Sequence, residues 1–163
     1  MTMIFDTSLD KLAKGVTIGI TILFATIIVG QYIAFKDGDK TIPNCITVGL
    51  LLIYFFIFAF RPINYILTTE KLIIHRPLSN VKINRDEIKS IEQIAKEKLG
   101  NTFRTFGVGG LFGYFGKFAN TKLGSMTWYA TRRDKAVLIT TSDNKKILLT
   151  PDNPEEFVAN FNL

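Results

Sequence analysis

Two long apolar stretches without a charged side chain dominate the first 60 residues of the chain. Gly15 to Phe35 has 21 residues, Thr41 to Phe60 has 20, and neither contains Asp, Glu, Lys or Arg. A helix rises about 1.5 Å per residue, so either stretch reaches roughly 30 Å, the thickness of the hydrocarbon core of a bilayer. The sequence therefore predicts a transmembrane helical hairpin in residues 1–62, with spans of about 15–35 and 41–60.

The basic residues beside these spans predict the orientation of the hairpin. The connecting turn has Lys36 and Lys40. The side with both termini has Lys11, Lys14 and Arg61, and the residues after Phe60 carry the whole net charge of +6. Basic residues near span ends favour the cytoplasmic side. The first stretch is too long for a signal peptide, and the second follows at once. We therefore expect a multi-pass protein of the cell membrane with both termini in the cytoplasm.

After Pro62 the sequence changes to short apolar stretches separated by turn residues, which is typical of β-strands. The isoleucines between Ile88 and Ile94 also fit a helix by their spacing, although a strand is favoured. Seven strands are predicted, at 64–68, 71–76, 81–83, 88–94, 127–131, 136–141 and 145–150.

The last residues predict a helix. Asp152 or Asn153 can cap it, Pro154 suits its first position, and Glu155 and Glu156 favour its N-terminal end. The expected fold class is α+β, with the transmembrane helical hairpin followed by a domain at 63–163. That domain has about seven antiparallel strands and a C-terminal α-helix.

Three segments of this second unit resemble a known family. They are Tyr65-x-Leu67-Thr68-x-Glu70-Lys71-Leu72-Ile73-Ile74-His75-Arg76, Phe106-Gly107-x-Gly109-Gly110-Leu111-Phe112-Gly113-Tyr114 and Thr150-Pro151-Asp152-x-Pro154-x-x-Phe157. From residue 65 to 161 the chain resembles the bacterial pleckstrin-homology-like (PH-like) domains, in particular those preceded by two transmembrane helices. The resemblance implies a PH-like β-barrel of two orthogonal sheets capped by the C-terminal α-helix, a membrane location and no shared enzymatic activity. The first hairpin loop has only Lys71 and Arg76 nearby, so a phosphoinositide pocket is not expected.

The segment from Phe103 to Phe118 is the least ordinary part of the sequence because it mixes five glycines with many aromatic residues. It completes neither a dinucleotide-binding fingerprint nor a P-loop. Its aromatic side chains either fill the barrel, lie against the membrane or dock a protein partner. The candidate membrane or partner contacts are Phe103, Arg104, Phe106, Phe112, Tyr114, Phe115, Lys117, Phe118 and Lys122.

The sequence contains no pattern typical of catalysis. His75 is the only histidine and Cys45 the only cysteine, so neither a metal site nor a disulfide is predicted. The acidic pairs Asp86-Glu87 and Glu155-Glu156 fit a turn and a helix start. We therefore expect no enzymatic activity and no cofactor, and the membrane hairpin argues against a nucleic acid partner.

Two functions remain open. In the first, the chain is a membrane-anchored, non-enzymatic interaction module, whose PH-like domain binds a protein partner, a lipid surface or its own copies at the inner face of the membrane. Anionic lipid headgroups are candidate partners, because they attract a basic domain that is held near a bilayer. In the second, the chain is an oligomeric accessory or pore-forming membrane protein that the PH-like domain regulates.

Overall fold

The computed structural model describes residues 2–161, and within that range the chain forms three α-helices, two short 3-10 helices and ten strands. The helices are α1 (Lys11–Ala34), α2 (Thr41–Ala59) and α3 (Pro154–Phe161). The strands are β1 (Met3–Asp6), β2 (Asn64–Leu67), β3 (Lys71–His75), β4 (Val81–Asn84), β5 (Ile88–Ile94), β6 (Thr102–Gly110), β7 (Gly113–Asn120), β8 (Gly124–Ala130), β9 (Ala136–Thr141) and β10 (Lys146–Leu149). The predicted order of two helices, then sheets and a C-terminal helix is confirmed.

Helices α1 and α2 form an antiparallel pair joined by a short turn, and polar contacts hold them together near that turn. The Gln31 side chain amide donates to Thr47 Oγ1 at 2.7 Å, and Tyr32 donates to Asn44 Oδ1 at 2.6 Å. Both helices are long and apolar enough to cross a membrane. In the most apolar 18-residue stretch of each helix, only 6% of α1 and 11% of α2 is buried. Their outer surfaces therefore present apolar side chains, unlike the helices inside a soluble core.

The strands form two separate sheets. The first is antiparallel, with the order β1-β2-β3-β4, and the second has the order β5-β9-β10-β8-β7-β6, in which β8 and β10 are parallel. The predicted barrel of about seven antiparallel strands is therefore wrong in three respects. Residues 2–161 contain ten strands, one pair of them is parallel, and the sheets do not close into a barrel, because each keeps two edge strands.

Strand β1 joins the N-terminal residues to the sheet that follows the helices. It pairs with β2, with Ile4 opposite Ile66 and Phe5 opposite Tyr65. Sequence analysis assigned residues 1–62 to the hairpin, whereas the structure places this strand in the four-stranded sheet. The chain therefore passes from this sheet into α1 and returns to the same sheet after α2.

The main core lies between the two sheets, where α3 covers it. Phe157 of α3 is fully buried and packs edge-on against Phe5 at 5.0 Å and Tyr65 at 6.2 Å between ring centroids. The Tyr65 hydroxyl donates to the Tyr129 carbonyl at 2.6 Å and accepts from the Thr150 N–H at 3.1 Å. Because this hydroxyl is bonded on both sides, it ties the four-stranded sheet to the six-stranded sheet.

A second core lies on the other face of the six-stranded sheet. There Trp128 is fully buried and stacks on Phe118, with 4.4 Å between the ring centroids. Ala13, in the first turn of α1, is also fully buried in this cluster. The start of the first apolar helix is therefore part of the domain core.

Strands β6 and β7 are not among the seven predicted strands, because glycine is uncommon inside a strand. Gly107 and Gly116 face each other across the hairpin with φ angles of 108° and 126°. A Cβ on Gly107 would overlap the Phe115 carbonyl, and one on Gly116 would overlap the Phe106 carbonyl. Glycine is required here because the two backbones approach each other too closely for any side chain.

Candidate membrane-facing site

The turn between β6 and β7 contacts helix α1. A Cβ built on Gly110 would lie 3.1 Å from Val16 Cγ1, so the backbone of the turn lies directly against the helix. The Phe112 N–H donates to the Thr17 hydroxyl at 2.9 Å. This turn is thus fixed against the second turn of α1.

The Phe112 side chain joins the same turn to helix α2. Its ring packs edge-on against Tyr54 at 5.1 Å and Phe58 at 5.5 Å, and only 7% of the residue is exposed. The Arg61 guanidinium lies 4.4 Å from the Phe58 ring centroid and 5.5 Å from that of Phe112. The hairpin tip is therefore packed among aromatic and cationic side chains at the end of α2.

The segment between β1 and α1 is fixed to the domain by a group of short polar side chains. The Thr7 hydroxyl donates to the Thr150 carbonyl at 2.6 Å, and Thr131 Oγ1 donates to the Ser8 carbonyl at 2.9 Å. The Ser8 hydroxyl donates to Asp152 Oδ1 at 2.7 Å. These bonds leave little freedom between the domain and the start of the helix.

Asp10 continues this attachment into the helix. Its side chain accepts from the Ala13 N–H at 2.7 Å and so caps α1. The Tyr114 hydroxyl donates to both Asp10 oxygens, at 3.1 and 3.2 Å. Burial, together with the charge of Asp10, raises the pKa of Tyr114 to about 12, so its proton stays in place at neutral pH.

Basic side chains from three parts of the chain surround the start of α1. Together they line a shallow depression of about 510 Å³, which we call the basic hollow. Its cationic residues are Lys11, Lys14, Lys96, Arg132 and Arg133.

The charges of the basic hollow are only partly neutralised. Arg132 is paired with Asp134 at 2.6 Å and Asp152 at 2.8 Å. The guanidinium of Arg133 lies 5.6 Å from the Tyr114 ring centroid and 6.0 Å from that of the buried Trp128. In residues 2–161 the lysines of the hollow and Arg133 have no ion-pair partner.

The predicted contact residues divide into two groups. Four aromatic ones are buried: Phe112 against the helices, and Tyr114, Phe115 and Phe118 within the domain. The others are exposed, with Phe103 and Phe106 at 58% and 77%, together with Arg104, Lys117 and Lys122. Their role as membrane or partner contacts stays a prediction.

Two of the exposed residues lie far from the helices. Phe103 pairs with Ala119 near the opposite end of the hairpin from its tip, and Lys122 follows β7. At about 3.3 Å per residue, this places them roughly 20 Å along the strands from the helix contact. These two residues therefore lie away from the junction between the domain and the helices.

Sequence reasoning missed the basic hollow as a single feature. Lys96, Arg132 and Arg133 are not among the contact residues predicted from the sequence. The signal that was available is the doublet of arginines beside an apolar strand. Its proximity to Lys11 and Lys14 depends on the pairing of β1 with β2, which the sequence did not predict.

Within the part of the chain that the structure describes, no group of three His, Cys, Asp or Glu residues is close enough to hold a metal ion. Cys45 is a free, exposed cysteine in α2. The site thus consists of aromatic, glycine and basic residues at the junction of the domain with two apolar helices.

Comparisons with known proteins agree with this architecture. No curated protein and no solved structure matches the chain. The family model described as "Bacterial PH domain" matches residues 63–162, which is more than half of the sequence. This range begins just after α2 and includes all strands from β2 onward together with α3. The chain therefore belongs to the bacterial PH domain family, with two long apolar helices ahead of the family domain.

Proposed function

We propose that the chain is a non-enzymatic membrane protein whose two helices hold the PH-like domain at the inner face of the cell membrane. There the domain binds the anionic surface of the lipid bilayer through the basic hollow. In this arrangement α1 and α2 span the bilayer and both termini lie in the cytoplasm.

The observation that carries the proposal is the position of the basic hollow. Lys11 and Lys14 lie in the first turns of α1, and the domain places Lys96 and Arg133 beside them. In a spanning helix these turns lie at the depth of the lipid headgroups. Each basic residue near an anionic leaflet contributes about 1 kcal/mol of attraction, so four such residues form a substantial binding surface.

The rigid attachment of the domain supports the same proposal. The domain contacts the helices at the capping turn of Asp10, at the Phe112 tip and through the Leu78 N–H, which donates to the Ala59 carbonyl at 3.0 Å. A domain held in this way presents one fixed face to the membrane. This favours a lipid surface over a partner that the domain would have to reach by swinging away.

The orientation is tested by labelling single cysteines from outside the cell. In a Cys45→Ser background, Gly38→Cys places a thiol in the turn between the helices, and Ser142→Cys places one in the exposed turn after β9. A membrane-impermeant maleimide should label the first in intact cells and the second only after lysis. Labelling of Ser142→Cys in intact cells would contradict the proposed topology.

The lipid contact is tested with the full chain in nanodiscs. Replacing part of the phosphatidylcholine with phosphatidylglycerol should raise the unfolding midpoint of the domain, since a ligand that binds only the folded state stabilises it. Lys14→Glu should remove most of this gain, whereas Lys122→Glu, a charge reversal far from the helices, should retain it. An equal loss in both variants would show that only the general charge of the domain matters.

A further inference from the structure

A cleft of about 620 Å³ lies on the face of the six-stranded sheet opposite the basic hollow. The four-stranded sheet covers only part of that face, and the strands nearest the β6 edge remain open. The floor of the cleft is apolar and consists of Val108, Phe115, Tyr129 and Ile147. Phe106, which is 77% exposed, stands at its margin.

The polar side chains of this cleft are basic or neutral. The cations are Arg76, Lys117 and Lys145, and no Asp or Glu is among the described residues that line it. Lys145 is neutralised by Asp143 at 2.6 Å. Arg76 and Lys117 have no carboxylate partner in residues 2–161, so the free charge of the cleft is positive.

The two free cations are held in place by neighbouring groups. Lys117 Nζ donates to Thr127 Oγ1 at 2.8 Å. The Arg76 guanidinium lies 5.3 Å from the Phe60 ring centroid and 5.6 Å from that of Tyr129, and its Nε donates to the Ser79 carbonyl at 2.6 Å. Both charges are therefore positioned at the cleft without a side chain anion to bind.

One wall of the cleft is the end of helix α2. Phe60 lines the cleft and directly follows the last helical residue, Ala59. On the opposite wall, Val108 of β6 and Phe115 of β7 lie only a few residues from the β6–β7 turn that contacts the same helices. The cleft is thus continuous with the junction between the domain and the helix pair.

We propose that this cleft binds one acyl chain of an anionic phospholipid from the adjacent leaflet, with the lipid phosphate held by Arg76 and Lys117. The proposal rests on the membrane placement proposed above, and its site is separate from the basic hollow. An apolar floor with a few fixed polar groups, in a volume between 300 and 1,000 Å³, is typical of small-molecule sites (about 620 Å³ here). A peptide is less suited, because the floor consists of side chains on the face of the sheet rather than of free backbone groups.

The test uses the full chain in phosphatidylcholine nanodiscs that contain a small fraction of a photoreactive lipid. The probe is phosphatidylglycerol with a diazirine at the end of one acyl chain, and the control is phosphatidylcholine with the same label. After irradiation and proteolysis, the labelled peptides are identified by mass spectrometry. Both probes should label α1 and α2, whereas only the phosphatidylglycerol probe should label the peptides at 106–117 and 127–129.

Matched substitutions show whether the cleft itself carries the labelling. Lys117→Glu should lower cleft labelling about tenfold, since it removes one attraction and adds a repulsion, while helix labelling stays unchanged. Phe106→Ser should lower it as well. Lys122→Glu and Phe103→Ser make the same chemical changes outside the cleft and should leave it unchanged. All four substituted side chains are exposed, so all four variants should fold.

The outcomes separate this proposal from the membrane anchor. Labelled helices with an unlabelled cleft would refute the acyl-chain site and leave the anchor intact. Equal cleft labelling by both probes, or by the Lys117→Glu variant, would refute the role of the two cations. Absence of labelling in the helices as well would refute the anchor together with the cleft.

Discussion

Removal of the Phe112 side chain should uncouple the PH-like domain from the helix pair. Phe112 is 7% exposed and packs edge-on against Tyr54 and Phe58. Truncation of a packed Phe to Ala costs about 3–5 kcal/mol, of which each aromatic pair accounts for about 0.5–1.5 kcal/mol. Acyl chains or detergent fill part of the cavity left beside a helix, so we expect the lower end of this range, about 3 kcal/mol.

The single tryptophan makes this cost measurable. Trp128 is fully buried and stacked on Phe118, so its fluorescence reports the unfolding of the domain. For a domain of about 100 residues, a loss of 3 kcal/mol lowers the unfolding midpoint by roughly 12 °C. Phe112→Ala should show this decrease in the full chain in detergent, whereas Phe103→Ala, at a position that is 58% exposed, should change the midpoint by about 2 °C or less.

The backbone at Phe112 offers a second comparison. Its φ angle is 56°, a left-handed conformation that costs a residue with a Cβ about 1 kcal/mol. Phe112→Gly removes both the side chain and this strain, so it should be about 1 kcal/mol more stable than Phe112→Ala. If both variants unfold at the temperature of the unsubstituted chain, the helices contribute nothing to the stability of the domain and the proposed coupling is wrong.

Two further predictions concern the domain alone. Tyr65→Phe should lower the free energy of unfolding by about 1–3 kcal/mol in urea titrations, because it leaves the Tyr129 carbonyl and the Thr150 N–H buried without their partner. The Arg132 guanidinium holds the pKa of Asp134 below its ordinary value of 3.8, so this pair stabilises the folded chain above that pH and the contribution disappears as the pH falls through the lowered pKa. Asp134→Asn should therefore show a smaller loss of stability between about pH 4 and pH 2 than the unsubstituted chain.

The strands that were predicted from the sequence are those that neighbouring residues identify, through alternating burial and adjacent turn residues. In β3, Leu72 and Ile74 are fully buried and alternate with more exposed residues, and the turn after Leu67 precedes it. The C-terminal helix was predicted for the same reason, since Pro154 and the following glutamates determine its start. These features depend only on residues within one turn or one strand, so one sequence is enough to find them.

The features that were missed depend on partners far along the chain. Met3–Asp6 has four residues, and it becomes a strand because β2 lies beside it after the helix pair. The glycines of β6 and β7 do not read as strand residues, and only the close pairing of the two backbones explains them. The contact of Phe112 with Tyr54 and Phe58 joins residues more than 50 positions apart, and nothing in the local sequence indicates it.

The two proposed lipid contacts are compatible because they lie on opposite faces of one sheet. Side chains alternate across a strand, so Trp128 lies beneath the basic hollow while its neighbours Thr127 and Tyr129 line the cleft. The attachments at Asp10 and Phe112 fix this sheet relative to both helices. The entropy cost of orienting the domain is therefore incurred on folding rather than on lipid binding. Each lipid contact then needs only a small free energy of its own, because the site is already held at high effective concentration. A domain on a flexible linker would keep only part of that advantage, because orienting it would still cost entropy on binding. The rigid junction, rather than either basic surface alone, is therefore the feature that favours lipid binding by a domain joined to an apolar helix pair.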